Sequence, residues 1–127
     1  MIKLRLPFPP SINHYWLLRK GGGRFITPKG KLFRTAVYAQ VLMNVKRRQA
    51  FVNGEVVTVK MSIVPPDNRR RDMDNIFKAL FDALTYSQIW KDDSQIKRID
   101  AIMRLQPDEE KKGYVIVEIE EFNDDEH

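Results

Sequence analysis

The sequence predicts an α+β fold: one domain over residues 1–127, with a mixed sheet covered by two helices. Several short segments alternate apolar and polar residues, which is the period of a strand with one buried face. Two longer segments repeat apolar residues every three or four positions, as an amphipathic helix does. A chain of 127 residues is long enough for one domain and leaves little room for a second. The predicted order is β-α-β-α-β-β, which suits one sheet with helices packed on it.

The first strand is predicted at residues 2–6, where isoleucine and leucine alternate with lysine and arginine. The prolines that follow end it, because proline cannot donate to a strand ladder. Residues 11–26 contain three consecutive glycines flanked by arginine and lysine, and this composition predicts a mobile basic loop.

The first helix is predicted from Pro28 to Arg48. Thr27 is expected to cap it, since threonine is a favoured N-cap and proline fits the first helical position. The cations at positions 46–48 suit the negative end of the helix dipole. The apolar stripe of this helix recurs every four residues and consists of Phe33, Val37, Val41 and Val45.

The remaining elements show the same two periods. Residues 57–63 alternate apolar and polar side chains and predict a strand, and residues 75–86 have the spacing of a second helix. Two further strands are predicted at 99–105 and 115–119, and the polar stretch 107–113 is long enough for a hairpin loop between them. The acidic tail, residues 123–127, is expected to be frayed.

Charge is distributed very unevenly along the chain. The net charge is +5, and residues 1–54 contain eleven lysines and arginines but no aspartate or glutamate. A basic surface of this extent favours a polyanionic partner such as nucleic acid. The acids all lie in the second part of the chain, where a site that needs carboxylates is expected.

Composition excludes several classes of function. The chain has no cysteine and two histidines, so thiolate catalysis, disulfides and cysteine- or histidine-rich metal sites are ruled out. No apolar run is long enough for a membrane span, and the N-terminus lacks the pattern of a signal peptide. We therefore expect no membrane partner and a cytoplasmic location.

Four aspartates near the two ends of the second helix are the candidate metal ligands: Asp72, Asp74, Asp92 and Asp93. Magnesium prefers oxygen ligands, commonly one or two carboxylates completed by water and phosphate. Alternatively, these acids cap the helix, pair with neighbouring arginines, or form a solvated turn.

Basic residues accompany the acids. Lys78 lies four residues after Asp74, so it shares a helix face with that carboxylate. It either forms an ordinary surface ion pair or places an ammonium beside a phosphate. The run Arg69–Arg71 is either a solvated stretch or a docking point for phosphate, which arginine binds bidentately. Carboxylates beside arginines in a basic protein indicate metal-assisted phosphodiester chemistry.

At this level of detail the sequence resembles the RusA-type Holliday junction resolvases, also called crossover junction endodeoxyribonucleases, over about residues 7–122. The motifs that carry the resemblance are Pro9–Tyr15, Arg70–Asn75, Lys78, Phe81–Leu84 and Trp90–Asp93. One departure is the turn before the Asp-Asp pair, residues 86–89, where family members often place a glycine.

The resemblance implies that Asp72, Asp74 and Asp93 are essential metal-binding acids and that Asp92 and Lys78 support them. It also implies a homodimer that binds four-way DNA junctions and makes paired nicks with Mg²⁺, with Mn²⁺ as the alternative ion. We expect the two copies to meet at a strand edge near residues 2–6 or 114–121. Together with the basic segments, it leads us to expect DNA contacts from Asn13, Arg19, Lys20, Arg24, Arg69, Arg70 and Arg71.

The predicted function is therefore a magnesium-dependent, structure-specific DNA endonuclease that resolves four-way junctions in recombination and repair, encoded by a bacterium or a phage. One alternative is a non-catalytic junction- or single-strand-binding protein, in which Tyr15 and Trp16 stack on unpaired bases. Another is a metal-dependent nucleotidyl or phosphoryl transferase, although no nucleotide-binding loop is present and no nucleotide cofactor is expected.

Overall fold

The computed structural model describes residues 1–106, 109 and 111–124. In chain order, its elements are β1 (Ile2–Pro7), α1 (Ile12–Tyr15), β2 (Trp16–Leu18), β3 (Arg24–Ile26), α2 (Pro28–Asn44), β4 (Val57–Val64), α3 (Met73–Tyr86), β5 (Ile96–Met103) and β6 (Tyr114–Glu121). Within these described residues, no helix combines the length and the apolar character that crossing a bilayer requires.

The main sheet has four strands in the order β1-β6-β4-β5. Strand β6 pairs antiparallel with both β1 and β4, whereas β4 and β5 are parallel and α3 connects them. A parallel pair needs such a crossover, because a tight turn can join only antiparallel strands. The predicted α+β class and mixed sheet are thus confirmed.

The core lies on one face of this sheet. A row of paired positions crosses all four strands at Leu4, Val117, Met61 and Ala101, so these side chains share that face. Helices α2 and α3 contact each other and complete the core. Each large aliphatic side chain buried here contributes about 1.5–3 kcal/mol of transfer free energy. The two predicted covering helices are therefore present, with α1 as a short addition.

The opposite face of the sheet carries charge. Register aligns Lys3, Glu118, Lys60 and Asp100 across the four strands, so positive and negative side chains alternate. Lys60 also forms an ion pair with Glu120 at 3.0 Å. This pattern is typical of a sheet that packs on one side only and leaves the other solvated.

The predicted loop at residues 11–26 is instead α1 followed by the antiparallel hairpin β2–β3. The Thr27 N–H donates to the Tyr15 carbonyl at 3.0 Å and closes the base of this hairpin. The Arg24 guanidinium lies 4.4 Å from the centre of the Trp16 ring. The glycine run forms the turn, where all three glycines have positive φ. Strand pairing across the glycines therefore overrides the loop composition.

Helix α2 begins as predicted but ends four residues early. The Thr27 hydroxyl accepts a hydrogen bond from the Gly30 N–H at 3.0 Å, which confirms the N-cap. At the other end Val45 is extended, and the Lys46 N–H is bound by the Gln49 side chain at 2.7 Å. Residues 46–48 consequently lie outside the helix, because this local hydrogen bond starts a separate 3-10 turn.

The predicted hairpin between the last two strands is wrong. Strand β4 lies between β5 and β6, so these two strands do not pair with each other; residues 107, 108 and 110 of the segment between them lie outside the described residues. Strand β5 starts at Ile96 rather than 99, and Leu105 beyond its end is 89% exposed. Of the acidic tail, residues 125–127 also lie outside the described part.

Candidate active site

Asp72 and Asp74 lie where α3 begins, shortly after β4 ends. Asp72 occupies the N-cap position, with φ −93° and ψ 131°, yet its carboxylate makes no capping hydrogen bond. Asp74 is in the first helical turn, and both residues are exposed. Negative charge is favourable near the N-terminus of a helix. The two carboxylates are therefore tolerated here and remain open to solvent.

One face of α3 carries Asp74, Lys78 and Asp82 at intervals of four residues. Such intervals place side chains above one another along a helix. Within the described part of the chain, no ion pair within 4.0 Å joins Lys78 to either acid. The surface ion pair considered from the sequence is thus not formed, and the exposed ammonium remains available to an anion.

The turn after α3 reaches a glycine-like conformation without glycine. Gln88 adopts φ +62°, in the left-handed region, which costs a non-glycine residue roughly 1–2 kcal/mol. The Trp90 indole N–H donates to the Thr85 hydroxyl at 2.6 Å, and the ring is 1% exposed. This buried anchor positions the chain immediately before Asp92.

Gln95, a buried residue that the sequence analysis missed, holds the Asp92–Asp93 turn. Its side-chain oxygen accepts from the N–H groups of Lys91, at 2.8 Å, and Asp92, at 3.1 Å. Its amide nitrogen donates to the carbonyls of Phe51 and Glu55, each at 2.8 Å. All four contacts are to backbone, so the turn that carries the acids is tied to the segment before β4.

Negative charge is concentrated at Asp93. Burial, the neighbouring Asp92 and the charge of Asp82 all raise the pKa of the Asp93 carboxyl above its ordinary value. Repulsion of this kind is relieved when a cation binds, and perturbed pKa values of this origin are typical of functional sites.

Asp82 itself is held by a network that joins three elements. The Tyr15 hydroxyl donates to Asp82 Oδ2. Arg34 donates from Nε to Oδ2 at 2.9 Å and from Nη2 to Oδ1 at 3.3 Å. Arg34 Nε also lies 3.1 Å from the Tyr15 hydroxyl oxygen. These contacts connect α1 and α2 to the C-terminal half of α3.

The network perturbs the pKa values of its members. Burial and the adjacent Asp82 carboxylate raise the pKa of Tyr15 above its ordinary range. Burial opposes the charge on Arg34, but hydrogen bonds to Asp82 and Tyr15 outweigh it and raise the pKa of Arg34.

Tyr15 is 0% exposed, so it is not available to stack on unpaired bases, as the alternative of a single-strand-binding protein required. Trp16 is partly buried, with Arg24 and Arg34 over its ring.

The acids present the right donor chemistry for a hard cation, since they are carboxylates open to water. Among the described residues, however, no three acidic or histidine side chains lie close enough to surround one ion. The acids whose charge acts on Asp93 are Asp92 and Asp82. The metal set Asp72, Asp74, Asp92 and Asp93 therefore stays a prediction.

The arginine run divides into two parts. Arg69 and Arg70 are exposed. Arg69 Nε lies 3.7 Å from Asp67 Oδ2, a loose ion pair. Arg71 is bound more closely to the same acid, with Nη1 2.8 Å from Oδ1, and its guanidinium lies 5.1 Å from the centre of the Phe8 ring. This contact with Arg71, together with the Arg69 backbone N–H, lowers the pKa of Asp67.

The remaining predicted DNA contacts lie on the N-terminal elements. Arg19 and Lys20 stand in the β2–β3 turn, where the Arg19 N–H donates to the Gly23 carbonyl at 2.9 Å. Arg24 begins β3, and Asn13 belongs to α1. All four residues are exposed, and their role in binding stays a prediction.

Comparison with known proteins identifies the class of enzyme. The family described as Endodeoxyribonuclease RusA matches residues 7–120. A crossover junction endodeoxyribonuclease rusA of Enterobacteria phage HK97 is 35% identical over 115 residues, which cover 91% of this chain and 92% of the relative. Relatives of the same name from Escherichia coli K12 and Enterobacteria phage 82 are each 38% identical, over 73% of this chain and 74% of their own.

The chain therefore belongs to the RusA family of endodeoxyribonucleases. The resemblance and the enzyme class expected from the sequence are confirmed. Membership also implies a metal-dependent nuclease acting on branched DNA.

Proposed function

We propose that this chain, as one RusA-like domain over residues 1–127, is a magnesium-dependent endonuclease that resolves four-way DNA junctions by paired nicks. Its role is in recombination and repair, in the cytoplasm of a bacterial cell. The observation that carries the proposal is the pair Asp72 and Asp74, exposed and without ion-pair partners among the described residues, beside exposed arginines in a RusA-family chain.

The proposal gives each group a role on the strength of the family resemblance. Asp72, Asp74 and Asp93, with Asp92, would hold the metal, for which Mn²⁺ is the alternative to Mg²⁺. Bound magnesium supplies a polarised water and neutralises charge on the phosphate. Lys78 is exposed on the helix face of Asp74, and there its ammonium meets the negative charge of the scissile phosphate.

The DNA arms lie on the basic surface. Arg69, Arg70 and the hairpin cations Arg19, Lys20 and Arg24 are exposed and contact phosphates largely without regard to sequence. Contacts to phosphate carry no sequence information, so this surface positions the junction without reading its bases.

Paired nicks require two copies of the site, and we propose a homodimer with an isologous interface. The sequence suggested a strand edge at residues 2–6 or 114–121. The second location is wrong, because β6 is paired on both sides. Strand β1 is an edge of the sheet, and its unpaired backbone groups leave it as the candidate. Sedimentation of a monomer at working concentration would contradict the dimer.

The test is cleavage of a labelled four-way junction with Mg²⁺ or with EDTA. We expect symmetric nicks with the metal and none without it. Asp72→Asn keeps the side chain's size and removes the charge, so cleavage falls roughly a hundredfold or more while junction binding survives. Asp100→Asn, at an exposed acid on the charged sheet face, is the matched control and should cut normally.

An Asp72→Asn protein that cuts at the normal rate would overturn the assignment of the acids. Wild-type protein that binds the junction with Mg²⁺ present but never nicks it would favour a binding protein instead.

A further inference from the structure

A groove of about 840 Å³ lies beside the candidate catalytic acids. Its walls come from the segment after β1, the first turns of α2 and the stretch that leads into α3, and Asp72 and Asn75 lie at one side of it. The volume is within the range of ligand clefts. Asp72, Arg69 and Arg70 at its rim already have proposed roles, but its apolar wall on α2 has none so far.

The groove combines an apolar surface with a cationic one. Leu32 and Ala36 of α2 line it and are exposed, Leu32 to 72%, so they present apolar surface to whatever occupies the groove. Lys29, Arg69 and Arg70 also line it. Exposed apolar surface beside cations fits a ligand that has a flat apolar part and negative charge, and a nucleotide has both.

One wall of the groove is already fixed. Arg71 is held by Asp67 and lies against the Phe8 ring, and both Phe8 and Arg71 line the groove. Because these side chains are ordered before binding, a ligand binds here without the entropic cost of ordering them.

We infer that this groove receives an unpaired nucleotide of the DNA strand at the branch point, next to the position that is cut. The base lies against Leu32 and Ala36, and the flanking phosphates contact Lys29, Arg69 and Arg70. This inference rests on the proposed function, because it assumes a branched DNA substrate.

An unpaired nucleotide fits better than the two obvious competitors. Paired bases in a duplex keep their faces stacked, so a duplex would meet the cations and leave Leu32 uncovered. A second copy of this chain is already proposed to pair at the edge of β1, and the groove offers cations rather than the unpaired backbone groups of a strand edge. A flexible branch point is where bases unstack at least cost.

The test measures binding in EDTA, so that cleavage does not interfere. The probe is a four-way junction with 2-aminopurine beside the branch point, whose fluorescence rises when the base unstacks. Wild-type protein should raise this fluorescence. Leu32→Ala should abolish most of the rise and weaken junction binding about fivefold, because part of the apolar surface that the base covers is removed. Duplex binding should be unchanged.

Leu42→Ala is the matched control. Leu42 is 64% exposed on the same helix and does not line the groove, so its replacement should change neither signal. Alanine is also a strong helix former, and both variants should fold normally by circular dichroism.

The outcomes separate this inference from the function on which it rests. If Leu32→Ala removes the fluorescence rise but the wild-type protein never nicks with Mg²⁺, nucleotide binding in the groove is supported and the proposed nuclease activity is refuted. Normal nicking without a rise in 2-aminopurine fluorescence supports the nuclease activity and overturns the inference that the groove binds an unpaired nucleotide. Equal weakening of duplex and junction by Leu32→Ala, or a loss of dimer with DNA binding intact, also overturns the inference.

Discussion

Asp74 and Asp82 lie on the same face of α3, two turns apart, but their carboxylates differ in the hydrogen-bond and ion-pair partners they have. The Asp82 carboxylate accepts hydrogen bonds from the Tyr15 hydroxyl and from Nε and Nη2 of Arg34. Asp74 is exposed and has no ion pair within the described part of the chain. Identical carboxylates on one helix thus serve two purposes. The paired acid joins elements of the fold, and the unpaired acid is left for a ligand.

The difference shows where the fold neutralises its charges. A paired, partly buried carboxylate supports stability only while its partners remain, whereas an exposed one adds little to stability. Functional sites commonly keep charges that folding does not need. The comparison therefore predicts that substitutions at the two positions affect different measurable quantities.

The largest effect is expected from Asp74→Asn. Cleavage of the junction should fall roughly a hundredfold or more, because the charge that holds a divalent ion is removed. The free energy of unfolding should change by less than about 0.5 kcal/mol, as for most exposed sites. Initial cleavage rates and urea denaturation measure the two quantities. A stability loss as large as the loss in activity would remove the distinction between the two acids.

Asp82→Asn should lower the free energy of unfolding more than Asp74→Asn does and affect cleavage less. It leaves the Arg34 guanidinium, 20% exposed, without its carboxylate, and we expect a loss of about 2 kcal/mol in the free energy of unfolding. Tyr15→Phe removes one hydrogen bond to the same carboxylate and should cost about 1 kcal/mol. In the double variant the losses should fall short of additive, since both act on one network. Strict additivity would mean that the three side chains do not act together.

The smallest effect is a stability gain at a predicted metal ligand. Asp93→Asn removes a charge that partial burial disfavours and that Asp92 and Asp82 repel, so the folded state should gain about 0.5 kcal/mol or less at neutral pH. The pKa of Asp93 is raised in the folded state, so the wild type is penalised only where this carboxyl is ionised. The advantage of the variant should shrink as pH falls through that raised pKa and vanish below the unfolded value.

Urea denaturation from neutral to acidic pH measures this difference. Asp100→Asn, at an acid that lies beside Arg98 rather than beside other acids, is the control and should show no gain. A destabilised Asp93→Asn protein at neutral pH would contradict the proposed repulsion.

Features set by neighbours along the chain were predictable. Alternation at residues 2–6 and 57–63 identified β1 and β4, and the Thr27-Pro28 pair identified the start of α2, because strand pleating and helix capping act within a few residues. The motifs around Asp72 and Asp93 also identified the family. Glycine is not required in the turn after α3, since Gln88 takes the same conformation.

Features that depend on distant pairing were not predictable. The segment 107–113 has the length of a hairpin loop, but β6 pairs with β4 and β1, and strand order is decided by which partners bury the most apolar surface. No local spacing relates Tyr15, Arg34 and Asp82, which come from three separate elements. Sequence alone therefore determined the four strands of the main sheet, the two long helices, the chemistry-bearing residue types and the family. Only the tertiary structure decided which of the acids are paired and which stay open, because hydrogen-bond partners are assigned when the helices pack.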